Sequence, residues 1–215
     1  MRHQAAKRIN DDWRFHLGEV SPEEAMRASG PAWSRVALPH SWNALDTMEV
    51  DEVRHYTRAI GWYTREIEPP PTGQRLWVEV EAASQRASIW LNGTQIGEHV
   101  GGYTAFTVEL TLEHPEQLKL ALRVDNLPDP DLIPSDLSDF FLSGGLTRNV
   151  WCYTTGPRRL ASLRCETEVN AEGASLSIRG QLDALPPRGL YVEAQLFSPQ
   201  NVLLTTIKQA LNDDE

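Results

Sequence analysis

The sequence predicts an all-β protein: a β-sandwich followed by a smaller all-β unit. Three observations support this prediction. Apolar and polar residues alternate along successive short segments, turn-forming dipeptides separate those segments, and almost no stretch has helical spacing. Short strands this closely spaced are typical of antiparallel sandwiches and barrels. No internal repeat or low-complexity tract interrupts the pattern.

The clearest strands lie in the middle of the chain, where every second residue is apolar. These segments are 76–81, 87–91, 94–97, 106–110 and 118–124. Asn92-Gly93 joins the second segment to the third and fits a tight hairpin turn, because both residues tolerate positive φ. One short helix is predicted over 22–28, within a polar entry segment.

A change of composition after Asp125 predicts a long surface loop. Residues 126–139 contain three prolines and four aspartates. Proline cannot donate to a strand ladder, so the segment is not a central strand. Long loops within compact domains are often functional. An apolar strand is predicted after the loop, over 150–153.

Gly156-Pro157 predicts a domain boundary, with a first domain over 1–157 and a second over 158–215. Four short strands are expected in the second domain, over 162–169, 174–181, 190–197 and 201–210. The two cysteines, Cys152 and Cys165, each fall in a strand-like segment and are predicted to be buried free thiols rather than a disulfide.

Composition and charge limit the partners of the chain. Its 215 residues carry a formal net charge of −10, which argues against nucleic acid or an anionic membrane as partner and favours neutral ligands. No apolar run approaches the ~20 residues that a membrane span needs. The polar start, 1–10, has no apolar signal core. A cytoplasmic location and a periplasmic or secreted one with the signal removed both stay open.

Five segments, in order along the chain, resemble motifs of glycoside hydrolase family 2, the family of β-galactosidases, β-glucuronidases and β-mannosidases. They are "WRFHLG" at 13–18, "WSRVALPHSWN" at 33–43, "GWYTREIE" at 61–68, "IWLNGTQIGEHVGGYTAFTVELT" at 89–111 and "FLSGGLTRNVW" at 141–151. The resemblance covers residues 10 to 155 strongly and the rest loosely. Thr147 departs from the family pattern, which usually has an aromatic residue there.

The resemblance implies a particular architecture. Family members begin with a jelly-roll sugar-binding sandwich, continue with an immunoglobulin-like sandwich and end with a TIM barrel that bears two catalytic glutamates. The residues after Tyr153 are too few for a barrel, which needs ~250 residues, and for a complete immunoglobulin-like sandwich of ~100 residues. The chain is therefore expected to hold the jelly roll, part of the second sandwich and no catalytic residue.

The resemblance also implies site residues. In family β-galactosidases, polar residues at the positions of Asn92 and Asp139 face the terminal sugar. An amide and a carboxylate together donate to and accept from vicinal hydroxyls. Arg148 offers a planar fork of donors suited to a domain contact. Nothing in the sequence predicts a cofactor or a metal site, because the histidines lack ligand spacing and the aspartates of 125–139 do not form a known calcium loop.

Two functional classes follow from the sequence, with a weaker third. The first is the non-catalytic N-terminal portion of an exo-acting retaining β-glycosidase, which helps to form the terminal-sugar pocket and binds a β-glycoside weakly by itself. The second is a stand-alone carbohydrate-binding sandwich. The third is a purely structural or interaction module. The expected partners are a carbohydrate, the missing catalytic domain and a second copy of the chain, paired through the incomplete second domain.

Overall fold

The computed structural model describes residues 6–46, 57–110, 117–135, 141–184 and 189–210. The chain divides into two compact units, Met1–Thr155 and Gly156–Glu215. The predicted domain limits, 1–157 and 158–215, stay a prediction. No helix among the described residues is long and apolar enough to cross a membrane.

The first unit contains twelve of the described strands and one helix. In chain order they are β1 (Lys7–Arg8), β2 (Trp13–Leu17), α1 (Pro22–Arg27), β3 (Ser34–Val36), β4 (His40–Ser41), β5 (Ile60–Ile67), β6 (Arg75–Val80), β7 (Arg86–Leu91), β8 (Thr94–Val100), β9 (Phe106–Glu109), β10 (Leu118–Asp125), β11 (Gly145–Leu146) and β12 (Val150–Thr155).

Two antiparallel sheets form a sandwich in this unit. One has the strand order β1-β12-β6-β9, and the other has the order β3-β2-β5-β10-β7-β8. A small third sheet pairs β11 with β4. The core lies between the larger sheets, because alternate residues of both contribute to one buried apolar cluster, among them Tyr63, Val78, Leu120 and Val150. The apolar residues of each alternating segment thus lie on the inner face of their sheet, and the polar residues lie on the outer face.

Helix α1 covers part of the outer face of the six-stranded sheet. Ser21 caps its start by accepting a hydrogen bond from the Glu24 N–H at 3.2 Å, and Ala28 ends it in the left-handed region at φ 43°. A second apolar cluster forms beneath it, where Ala25 packs with Trp62 and Ala121. The predicted helix over 22–28 is therefore present, one residue shorter than expected.

The second unit contains four strands, β13 (Leu160–Asn170), β14 (Gly173–Leu182), β15 (Tyr191–Phe197) and β16 (Leu203–Ala210). They form two separate two-stranded sheets, β13-β14 and β15-β16. All four strands were predicted. The last begins at Leu203 instead of 201, because Asn201 closes a turn at φ 62° with its N–H bonded to the Ser198 carbonyl.

The all-β fold class is confirmed, but one of the two cysteine predictions is wrong. Cys152 and Cys165 are both free, as expected. Cys152 is partly buried, and burial raises the pKa of its thiol to about 11, so the thiol stays protonated at neutral pH. Cys165 was expected to be buried and is exposed, because β13 belongs to a two-stranded sheet whose residues are almost all exposed.

Candidate functional site

The Gly144-Gly145 pair lies against the segment around Trp42. A Cβ atom on Gly144 would come within 1.9 Å of the Trp42 ring. A Cβ atom on Gly145, whose φ is +125°, would come within 2.3 Å of the His40 carbonyl oxygen. Gly145 also pairs with Ser41 in the short β4-β11 sheet. The two glycines are thus required for the close approach of 141–146 to 40–46.

Asn43 connects these two segments through hydrogen bonds. Its side chain is 2% exposed. The Asn43 Oδ1 accepts from the Gly144 N–H at 2.7 Å, and its Nδ2 donates to the Thr57 carbonyl at 2.9 Å and to Asp46. Asp46 accepts in turn from the Thr57 N–H at 2.9 Å. A buried amide that is satisfied in this way fixes the loops around it.

Asn126 extends the same network from the end of β10. It is fully buried. Its Nδ2 donates to the Leu142 carbonyl at 2.9 Å and to the Thr57 carbonyl at 3.1 Å, and its Oδ1 accepts from the Ala59 N–H at 2.8 Å. Asn43 and Asn126 therefore hold 41–46, 57–59 and 141–144 together at one end of the sandwich.

His40, which is partly buried, and Tyr63, which is fully buried, form a polar pair beside the glycines. The His40 Nδ1 lies 2.7 Å from the Tyr63 hydroxyl. Burial lowers the pKa of His40 below its ordinary value, and burial raises the pKa of Tyr63. Both side chains are therefore held neutral around pH 7, and the pair positions β4 against β5 without carrying charge.

A cleft of about 630 Å³ opens beside this network, and we call it the Trp42 cleft. Its lining combines apolar with polar side chains: Leu17, His40, Ser41, Trp42, Ala44, Leu45, Asp46 and Thr57. Leu45 is 65% exposed. An indole ring beside hydroxyl, imidazole and carboxylate groups suits a sugar, which has apolar C–H faces and polar rims.

The described residues of the cleft carry no pair of catalytic carboxylates. Asp46 is the single acidic side chain among them, and it is engaged by Asn43 and the Thr57 N–H. Retaining glycoside hydrolysis needs two carboxyl groups ~5–5.5 Å apart. Among the described residues, no group of three or more histidine, cysteine or acidic side chains could hold a metal ion.

The predicted site residues have different outcomes. Asp139 lies outside the described residues. Leu142, three positions later, is bound to Asn126 at the Trp42 cleft end of β10. Arg148 is exposed and donates to the Tyr103 carbonyl at 3.3 Å, a contact within the first unit. Its role at a domain contact stays a prediction.

Asn92 lies at the tip of the β7-β8 hairpin, with φ 48°. Its Nδ2 donates to the Gln117 carbonyl at 3.0 Å, and its Oδ1 accepts from the Lys119 N–H at 2.7 Å. These contacts lie at the start of β10, whereas Asn126 follows its end. Eight strand residues span ~26 Å. The described contacts therefore place Asn92 at the opposite end of the sheet from the Trp42 cleft.

The sequence analysis missed Asn43, Asn126 and the His40–Tyr63 pair. Their only signal was indirect, since "PHSWN" was recognised as a motif without a role for its asparagine. The network joins residues as far apart in sequence as Asn43 and Gly144, a separation of 101 positions. Periodicity and turn chemistry do not report contacts of that range.

Comparisons with known proteins agree with this fold. No protein-family model matches the chain. A "Putative beta-glucuronidase" of Formosa agariphila is 32% identical over 203 residues, which is 92% of this chain and 24% of that protein. "Beta-galactosidase BoGH2A" of Bacteroides ovatus is 31% identical over 159 residues, 69% of this chain and 18% of that protein. The chain thus spans about a quarter or less of the length of these curated relatives.

The solved structures give the same result. The crystal structure of a Bacteroides uniformis β-glucuronidase matches with a TM-score of 0.81 and 31% identity, over 96% of this chain and 26% of that one. The apo structure of B. uniformis β-glucuronidase 3 matches with a TM-score of 0.81 and 29% identity, over 98% of this chain and 29% of that one. By its motifs, its sequence relatives and its fold, the chain belongs with the β-glucuronidases and β-galactosidases of glycoside hydrolase family 2.

Proposed function

We propose that the chain is the sugar-binding, non-catalytic portion of an exo-acting retaining β-glycosidase, and that the Trp42 cleft forms one wall of its terminal-sugar pocket. The observation that carries this proposal is the network of Asn43 and Asn126. The buried hydrogen bonds of these two side chains fix the segments around an open cleft that contains Trp42, at one end of the sandwich. Rigid support of this kind is typical of binding sites.

The chemistry of hydrolysis belongs, in this proposal, to another part of a longer protein. The described cleft residues offer one carboxylate, and that carboxylate is already hydrogen-bonded. We therefore expect the 215-residue chain by itself to release no chromophore from aryl β-glucuronides, β-galactosides, β-mannosides or β-glucosides. Turnover that persists through purification and scales with the amount of protein would contradict the proposal.

Asp139 is the residue through which the pocket role is tested. The resemblance gives it a contact with the terminal sugar, and the residues that follow it in sequence, Leu142 and Gly144, are hydrogen-bonded to Asn126 and Asn43. In the longer protein, Asp139→Asn should lower kcat/KM for an aryl glycoside by tenfold or more, as expected of about 1.4 kcal/mol of lost transition-state binding. Thermal stability should be unchanged.

Asp131→Asn is the matched control, because it makes the same substitution at an exposed position of the same loop. It should leave kcat/KM and stability at wild-type values. If Asp139→Asn behaves like Asp131→Asn, the pocket role of this loop is wrong. If the chain instead binds glycans tightly by itself and the longer protein hydrolyses none, the chain is a stand-alone carbohydrate-binding module.

A further inference from the structure

A second cleft, of about 430 Å³, lies on the α1 side of the six-stranded sheet, and nothing in the proposed sugar pocket uses it. We call it the basic cleft. Its lining holds four cationic and two acidic side chains: Arg14, Arg27, Arg65, Lys119, Asp12 and Glu66, together with Ala28 and Thr64. This balance is opposite in sign to that of the whole chain, whose formal net charge is −10.

The strand register explains how the cations come together. Arg14 on β2 lies directly opposite Thr64 on β5. Lys119 on β10 lies directly opposite Glu66, two residues further along β5. Since β2 and β10 flank β5, the two cations stand on either side of this strand. Arg27, the last residue of α1, approaches from the helix above.

These positive charges are poorly neutralised within the described part of the chain. None of Arg14, Arg27 and Lys119 forms an ion pair with a described carboxylate, and Asp12 pairs with Arg35 outside the cleft at 3.8 Å. The four cations of the cleft outnumber its two carboxylates, Asp12 and Glu66, so an anion bound there would offset the remaining positive charge.

Thr64 supplies an independent sign of a ligand. The residue is 1% exposed and lines the cleft, and its hydroxyl has no hydrogen-bond partner among the described residues. Buried hydroxyls are normally satisfied. Arg14 lies directly opposite Thr64 and is exposed, so an anion that drew its guanidinium aside would reach the hydroxyl.

We propose that the basic cleft binds an oxyanion carried by a sugar, such as the carboxylate of a uronic acid. Guanidinium groups and an ammonium group bind carboxylate oxygens through charge-assisted hydrogen bonds, and Thr64 would donate one more. This inference rests on the proposed function only for its choice of a sugar as the carrier.

The test is to titrate sugars and anions into the isotope-labelled 215-residue chain and to monitor its amide chemical shifts by NMR. D-Glucuronate should give saturable shifts around Arg14, Thr64 and Lys119 with a dissociation constant of about 1 mM, a value typical of weak sites. D-Glucose at the same concentrations should give none. Inorganic sulfate should compete with glucuronate, and added sodium chloride should weaken the binding.

The decisive variant is R14Q/K119Q, in which glucuronate binding should fall at least fivefold. K7Q/R8Q is the matched control, because it removes two exposed cations from β1 of the other sheet and should bind as wild type does. If R14Q/K119Q loses the dispersed amide spectrum of the folded chain, Arg27→Gln at the exposed helix end takes its place, with the same expected direction.

Four results would overturn the proposal. The first three are no saturable response to glucuronate, equal responses to glucose and glucuronate, and equal weakening in R14Q/K119Q and K7Q/R8Q. Binding of sulfate without any binding of glucuronate would also overturn it, since the site would then recognise free anions and not a sugar acid. None of these measurements needs glycoside turnover, so a failure here is distinct from a failure of the proposed function.

Discussion

The two units use the same local pattern and reach opposite degrees of burial. In β10 of the first unit, Leu120 is fully buried between two sheets. In β13 of the second unit, Leu163 follows the same alternation and is 57% exposed. Alternation is therefore sufficient to specify a strand, whereas burial needs an opposing layer. The second unit has two separate hairpins whose apolar residues remain exposed, among them Val169, Tyr191, Leu204 and Ile207.

The largest expected effect compares equivalent leucines in the two units. Leu120→Ala should destabilise the first unit by about 2–5 kcal/mol, because it removes buried methyl groups and leaves a cavity. Leu163→Ala should change stability by less than about 0.5 kcal/mol, since its side chain is mostly in water already. Urea unfolding monitored by tryptophan fluorescence measures the stability of the first unit in Leu120→Ala. Circular dichroism monitors the unfolding of both units, and so of both variants. Equal losses of stability in the two variants would show that the two units do not differ in burial as described.

Two glycines, one in each unit, test the same difference in packing. Gly144→Ala places a Cβ atom inside the van der Waals radius of the Trp42 ring and should cost about 1–3 kcal/mol or more. Gly180→Ala in the second unit has one close contact, with the Leu160 Cδ1 methyl at 2.9 Å, and that side chain is 46% exposed and has room to move. Its stability should be nearly unchanged. A neutral Gly144→Ala in urea unfolding would show that 141–146 does not pack on Trp42.

Substituting Asn92 distinguishes a role in the turn from a role in sugar binding. Asn92→Ala loses two hydrogen bonds to the backbone at 117 and 119 and places alanine at positive φ, so it should cost about 1–2 kcal/mol. Asn201→Ala, also at positive φ but in the second unit, is the comparison and should cost less. In the longer protein, a fall of kcat/KM at a temperature where the variant is fully folded would uphold the sugar contact predicted for Asn92; an unchanged kcat/KM would refute it.

The smallest expected effect is on the pH dependence of stability. Burial lowers the pKa of His40 in the folded state below its ordinary value of 6.5. The unfolded chain therefore binds a proton more readily, and the free energy of unfolding should fall as the pH drops below about 6.5. His40→Gln should flatten this slope between pH 7.5 and 5. An unchanged slope in His40→Gln would assign the acid sensitivity to other groups.

The fold was more predictable from the sequence than the site was. Strand positions such as 118–124 and the hairpin at Asn92-Gly93 follow from local alternation and turn chemistry, and the motifs around Trp42 and Gly144 pointed to the correct family. The exposure of Cys165 was not predictable, because it depends on whether another layer covers β13. The Asn43–Asn126 network was not predictable either, since it depends on contacts between segments that are distant in sequence.

The central claim is that the first unit buries its apolar residues between two sheets, whereas the second unit has apolar faces open to a further layer. Hydrogen–deuterium exchange on the dilute, monomeric chain tests it most directly, with light scattering to establish the oligomeric state. The account predicts slow exchange in β5 and β10 and fast exchange throughout β13–β16. At high concentration, pairing with a second copy through the open faces should slow the exchange of β13–β16. Equal and strong protection of β10 and β13–β16 in a monomer would contradict the account.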